Sequence, residues 1–350
     1  MRRNVLTCVT IIFLFSINVC SGQQSSGMSS MPMMPVMAAS NEATKDQLTF
    51  AGAEGDSVDK CTDWLLQQKG VVSGQTNAGE YKITYVFSRP EGWYELSNDV
   101  LTWREPSSNA DAHLWLFVQD AADHRIVPPL SIKYTLKNAQ GNVSDENEIA
   151  YAWMPLVNGY GTNVKLSGNG NYTLRLDIAP MPYRRHDPYN GDRFTHNTTA
   201  VINVSVDKSQ FSKQPLSELM EAHQKLAENA GKAFHNTLEE MYKQANDGGD
   251  TTIGDYTIAF AVEYAEGYWH YENSKFRYMQ ENDMSGKTNA HVEVAALDAK
   301  SGRFLDNLDV TATLKSEDGK QSAQEMKCLC GIHGYIITAK IGAYRKAELI

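Results

Sequence analysis

The sequence predicts a mainly β protein: two tandem antiparallel β-sandwiches joined by a long α-helix, with the second sandwich incomplete. Three observations carry that prediction. Apolar or alternating runs recur between turn clusters, as at 113–118, 130–136 and 172–178, the pattern of short strands buried on one or both faces. The stretch from residue 79 can be laid over the stretch from residue 254 with matching residues, so one unit is written twice. Between the copies, apolar residues recur at helical rather than alternating spacing.

The repeat is specific. Gly79-Glu80-Tyr81 with Ile83 matches Gly254-Asp255-Tyr256 with Ile258, and Glu91-Gly92-Trp93 matches Glu266-Gly267-Tyr268 without a gap. After a small offset His113 meets His291, Asp120 meets Asp298, Leu136 meets Leu314 and Gly141 meets Gly319. Turn clusters at 138–142, 167–171 and 315–320 separate the strands. Asp120 and Asp298 fall beside turns, where a carboxylate usually bonds its own backbone.

Taken in order, the chain opens with Arg2 and Arg3, an apolar run over 5–19, and the small residues Ser21 and Gly22. This reads as a signal peptide over 1–22, hence a secreted, periplasmic or cell-surface protein. No other segment approaches the roughly 20 apolar residues a membrane helix needs, so no stable membrane insertion is expected. Residues 23–57, rich in Ser, Met and Ala, read as a disordered arm. Its Met28, Met31, Met33, Met34 and Met37 are either soft Cu(I) ligands or part of a plain flexible leader. The first sandwich is expected over 58–207, a helical connector over 208–249 and a truncated second repeat over 250–350. In the connector Leu216, Leu219, Met220, His223, Ala227, Ala230, Phe234, Leu238 and Met241 share one helical face. They imply a helix of about seven turns from an N-cap at Ser212 or Ser217 to the Gly248-Gly249 pair. Such a stripe covers a domain's apolar surface or makes a homodimer. His223 and His235 are too far apart for a metal pair one helical turn apart.

The chain of 350 residues has a formal net charge of −10 and no long basic run, so nucleic acid is excluded as a partner. Acidity of this kind raises the local cation concentration. Cys8, Cys20, Cys61, Cys328 and Cys330 give no disulfide framework. N-x-S/T sequons stand at Asn142, Asn171, Asn197 and Asn203, surface acceptor sites in a host that secretes through an endoplasmic reticulum. There is no nucleophile elbow, P-loop, dinucleotide fingerprint or zinc-protease helix, and the protein reads as a non-enzyme.

His113-Leu114-Trp115, then 129–136, Met154-Pro155-Leu156, Tyr160-Gly161-Thr162-Asn163-Val164-Lys165-Leu166 and Gly170-Asn171-Tyr172-Thr173-Leu174, followed by Arg184-Arg185-His186, resemble the periplasmic ferrous-iron transport protein family. The resemblance covers about 79–207 directly and 250–326 through the repeat. It implies small immunoglobulin-like sandwiches that bind copper and serve iron uptake beside a membrane permease. In that family a metal is held by a His and a Glu of an H-x-E strand, a Met of an M-P-M turn, a His before Tyr-Gly and a later His. Here His113, Met154 and His186 match, whereas Trp115, Leu156 and Gly159 replace the Glu, the second Met and the His. In the second copy His291-Val292-Glu293 keeps the H-x-E pair, and residues two apart on a strand face the same way. The implied ligands are therefore His113, Met154, His186, His291 and Glu293, for a copper or iron ion, with an iron permease as partner. The alternative is a tandem immunoglobulin-like structural or adhesion protein whose histidines only pack.

The family pattern fails after Lys327, where Cys328-Leu329-Cys330 stands in place of the turn. A back-translation read out of register restores a Met-Pro turn and a His-Tyr-Gly, which points to a frameshift near Lys327. Cys328 and Cys330 are then not ligands, and the nucleotide sequence is the check.

Overall fold

The computed structural model describes residues 11–12, 37–40, 43–97, 100–127, 129–181, 185, 187, 190–245, 247–264, 267–272, 275–279, 290–305, 308, 310–315, 321–325, 327–329, 334–339 and 348–349. The chain divides into two compact units, one of residues 51–181 with 194–233, the other of 1–50, 182–193 and 234–350. No described helix is long and apolar enough to cross a membrane.

Two elements precede the first sheet: β1 (Ile11–Ile12) and α1 (Lys45–Leu66). The helix replaces the end of the arm expected over 23–57. Its start is a capping box: Thr44 Oγ1 accepts from the Gln47 amide at 3.3 Å, and Gln47 Oε1 accepts from the Thr44 amide at 2.9 Å. Ala51, Val58, Cys61 and Leu65 are buried along it, a stripe of helical spacing masked in the sequence by small and polar neighbours. The Met-rich positions 28–34 lie outside the described residues.

The first unit contains β2 (Val72–Ala78), β3 (Tyr81–Ser88), β4 (Trp93–Ser97), β5 (Val100–Arg104), β6 (Ala112–Asp120), β7 (Ile132–Asn138), β8 (Val143–Glu148), β9 (Ala150–Ala152), β10 (Gly159–Val164), β11 (Gly170–Ile178) and β12 (Thr198–Val206). They form a five-stranded sheet in the order β2-β3-β6-β10-β9, a four-stranded sheet β12-β11-β7-β8, and the separate hairpin β4-β5. In β11 and β12 buried and exposed positions alternate, as one covered face requires. By contrast β6 is buried at every position, because its sheet is covered on both sides. Trp115 and Phe117, with Val86 of β3, pack against Val58, Cys61 and Leu65 of α1 and against Leu216 and Met220 of the next helix. Alternation then sends Leu114, Leu116 and Val118 to the opposite face, where the hydroxyl oxygen of Tyr160, which is paired with Leu116, accepts from the Leu130 amide at 2.7 Å.

That next helix is shorter than the sequence implies. The stripe expected as one helix is two, α2 (Leu216–Ala222) and α3 (Lys225–Gln244). His223 interrupts it: its Nδ1 lies 2.9 Å from the Leu219 carbonyl and its ring stacks on Trp64 at 4.5 Å, which satisfies a helix-end carbonyl from the side chain. Gly248 and Gly249 do not end the helix; they lie in the following strand. The stripe itself is covered within the units, since Ala230 packs with the first unit's core and Phe234 and Leu238 with the second's.

The second unit holds β13 (Asp247–Ile253), β14 (Tyr256–Tyr264), β15 (Tyr268–Glu272), β16 (Lys275–Met279), β17 (Ala290–Asp298), β18 (Thr311–Lys315), β19 (Gln321–Glu325), β20 (Lys327–Leu329), β21 (Gly334–Ala339) and β22 (Glu348–Leu349), which pairs with β1. Its sheet β13-β14-β17-β21-β20 repeats the order of β2-β3-β6-β10-β9, and the hairpin β15-β16 repeats β4-β5. The registers agree: Tyr81 faces Asp120 as Tyr256 faces Asp298. So do the turns. Asp120 Oδ1 accepts from the Ala122 amide and Asp298 Oδ1 from the Lys300 and Ser301 amides, while each aspartate's own N–H bonds the carbonyl of Arg125 or Arg303.

The tail after Lys327 departs from the family pattern in sequence yet still adds a strand. Thr338 of β21 faces His291 as Asn163 of β10 faces His113; the run Tyr335-Ile336-Ile337-Thr338 is made of the β-branched and aromatic residues that strands favour. What lacks a counterpart among the described residues is the pair β11 and β12: of the β12-β11-β7-β8 sheet the second unit repeats only β7-β8, as β18-β19.

Candidate metal centre

His113 sits near the start of β6, 2 % exposed, on the helix-covered face. Asn163 of β10, its cross-strand partner, fixes the ring: Nδ1 lies 2.9 Å from Asn163 Oδ1. Because that oxygen can only accept, Nδ1 carries the proton and Nε2 presents its lone pair. Nε2 is buried and has no hydrogen-bond partner among the described residues. Burial pulls the imidazole down to about 4, against the opposing pull of the nearby Glu91 carboxylate and the Asn163 bond. The ring is therefore neutral at physiological pH.

Glu91 and Asn163 lock the surroundings. Asn163 Oδ1 also accepts from the Glu91 amide at 3.2 Å, and its Nδ2 donates to the Glu91 carbonyl at 2.9 Å. The Glu91 carboxylate, 3 % exposed, accepts from the Leu216 amide at 2.9 Å, Ser88 Oγ at 3.0 Å, Ser217 Oγ at 2.8 Å and the Ser217 amide at 3.3 Å. It serves α2 as a cap and so is held away from ligand duty. Sequence reasoning gave neither residue a role; the signal was the recurrence of Glu91-Gly92 in the repeat.

The other expected ligands of the first unit are placed less favourably. Trp115, where the family has Glu, stacks on His113 with ring centroids 4.0 Å apart. Met154 is buried in the same cluster as Trp115, with Leu156 beside it, so His113 and Met154 share the covered side of the sheet. A side chain at Gly159 would come within 2.7 Å of the Leu116 carbonyl and 2.8 Å of the Phe117 ring; the histidine of the family cannot be accommodated there. His186 lies outside the described residues. Gly161 is equally constrained: a Cβ there would overlap the Trp115 ring and come within 2.9 Å of His113 Nε2. Gly161→Ala should therefore destabilise the chain by about 1–3 kcal/mol, as overpacked cores do, measured by denaturant unfolding; a neutral result would mean that the two rings move freely.

In the second unit His291 occupies the equivalent place on β17, 1 % exposed, opposite Glu263 and Thr338. Its Nε2 lies 3.2 Å from Glu293 Oε1 on the same strand face. Here a nitrogen and a carboxylate oxygen stand together, whereas Trp115 takes the carboxylate's place in the first unit. Among the described residues no three His, Cys, Asp or Glu side chains come together as a metal cage. The described donors thus amount to a buried imidazole nitrogen in one unit and a His–Glu pair in the other.

Residues 117–210 match the Fe2+ transport protein family. The match begins four residues after His113 and takes in Met154, Asn163 and His186. No curated protein matches the chain significantly. Among solved structures, FetP of uropathogenic Escherichia coli strain F11 aligns at 21 % identity with a TM-score of 0.33, over 40 % of this chain and 97 % of that one. Copper-reconstituted P19 of Campylobacter jejuni aligns at 18 % identity with a TM-score of 0.32, over 42 % of this chain and 99 % of that one.

Proposed function

We infer that the chain is a secreted, metal-binding protein that holds copper or iron and assists iron uptake with a membrane permease, built as two tandem immunoglobulin-like sandwiches. The observation that carries this is the buried histidine repeated at one register in both sheets, with a His113 Nε2 that has no partner among the described residues and a carboxylate beside His291. Imidazole and thioether suit copper, and a carboxylate broadens the set toward iron. The match of residues 117–210 to the Fe2+ transport proteins supports the same reading. His291 and Glu293 make the stronger half-site; His113, Met154 and His186 make the weaker one, because a tryptophan, a leucine and a glycine replace family donors.

Titration of the full chain with Cu(I), Cu(II) and Fe(II), read by spectroscopy and metal content, tests it. His291→Ala and Glu293→Gln are each expected to weaken copper binding by about 10–100-fold, the usual loss when a ligand or its orienting partner goes, with circular dichroism unchanged. His113→Ala should cost less. A folded chain that retains no copper or iron, with both variants alike, would leave the structural or adhesion reading in its place.

A further inference from the structure

All four N-x-S/T sequons of the chain fall between residues 142 and 205, two on the strands of one sheet and two in the segments that lead into its strands. In β11 and β12 the residues at 171, 173, 175 and 177 and at 199, 201, 203 and 205 face outward, opposite the buried Tyr172, Leu174, Leu176, Ala200, Ile202 and Val204. Asn171 and Asn203 belong to that outward set and are close neighbours, since Asn171 faces Ser205 and Thr173 faces Asn203. Asn142 stands in the turn from β7 to β8 and Asn197 immediately before β12, both exposed. The Asn203 side chain is engaged through its carbonyl oxygen, which accepts from Thr173 Oγ1 at 3.2 Å. The same face and rim expose two apolar side chains, Val143 and Val201, at 51 % and 59 %. Each lies beside a sequon asparagine.

We propose that the outer face of the β12-β11-β7-β8 sheet is a glycan-bearing face, with Asn142, Asn171, Asn197 and Asn203 the acceptors of N-linked oligosaccharide. This rests on the secretion part of the function proposed above. The donor is a lipid diphosphate-linked oligosaccharide. Asparagine Nδ2 bonds to C1 of the reducing-end sugar, the C1–O bond to phosphate breaks, the lipid diphosphate leaves and the amide gives up one proton to a base of the transferase. Transfer precedes folding, so a strand position is no obstacle, and the fold tolerates the product because each asparagine points to solvent. The sugars then shield Val143 and Val201, and they confine protein partners to other faces of the chain.

The experiment expresses the full chain with its own leader in a eukaryotic secretory cell and treats the product in the medium with peptide:N-glycosidase in 18O water. The expected result is a stepwise gain in mobility and an isotope-marked Asn-to-Asp conversion at the four positions, with each Asn→Gln variant removing its own step. A secreted chain that the enzyme leaves unaltered overturns the proposal. If the chain stays inside the cell, the secretion reading fails instead, and a second version carrying an independently active leader decides the acceptor question: unmodified in the medium, it overturns the glycan face as well.

Discussion

Replacing Glu91 with alanine should destabilise the first unit by about 3–5 kcal/mol, because several buried donors lose their acceptor at about 1–3 kcal/mol each. The carboxylate is buried, and four donors converge on it: the Leu216 and Ser217 amides and the Ser88 and Ser217 hydroxyls. Two of those donors are helix-start amides of α2, which have no partner within the helix. Alanine leaves them without acceptors in a space closed to water, and each such loss costs about 1–3 kcal/mol. Glu91→Gln keeps the shape and one acceptor oxygen, so a loss of about 1–2 kcal/mol is expected from it. Because the Glu91 charge favours protonated His113, the imidazole resonance should titrate still lower in the glutamine variant. Denaturant unfolding of the two variants, with NMR of the ring, checks both statements; equal small losses would show that the network is open to solvent.

The legible parts of the fold were those in which one physical signal dominated. The alternation of β11 and the doubled Gly-x-Tyr and His motifs implied a repeated β unit because burial on one face has a period of two. α1 was illegible for the opposite reason: its buried stripe is Ala51, Val58, Cys61 and Leu65, too small and too widely separated by polar residues to register, and the Thr44-Gln47 box passed unread. The break at His223 depends on a side-chain bond to Leu219 and a ring contact with Trp64, a tertiary event with no local signature. At the site, residue type pointed to His113 and to His291 with Glu293, but type alone does not reveal that Asn163 sets the His113 tautomer or that Glu91 is engaged by α2. Those roles arise from cross-strand pairing and from a contact spanning 125 residues.

Glu54→Gln should reshape the pH dependence of stability, because two buried groups pull in opposite directions. Burial pushes Glu54 up to about 8, with Arg125 opposing and Asp123 reinforcing the rise, and its Oε2 has no hydrogen-bond partner among the described residues. Between the ordinary 4.5 and about 8 the folded chain therefore holds a proton that the unfolded chain has released. Stability falls as pH rises through that window, by about 4–5 kcal/mol in all at 1.36 kcal/mol per unit. His113 acts the other way: it is neutral when folded down to about 4 but protonates at 6.5 when unfolded, so stability falls by about 3 kcal/mol as pH drops through that interval. Across pH 4.5–6.5 the two slopes cancel, and above 6.5 Glu54 acts alone, removing about 2 kcal/mol by pH 8. Glutamine has no proton to lose at this position. The variant should lose the decline above pH 6.5 and gain a rising slope below it, a profile that metal-free unfolding curves from pH 4.5 to 8 would display. If the parent and the variant follow parallel curves, Glu54 is ionised in the folded chain and Arg125 neutralises it.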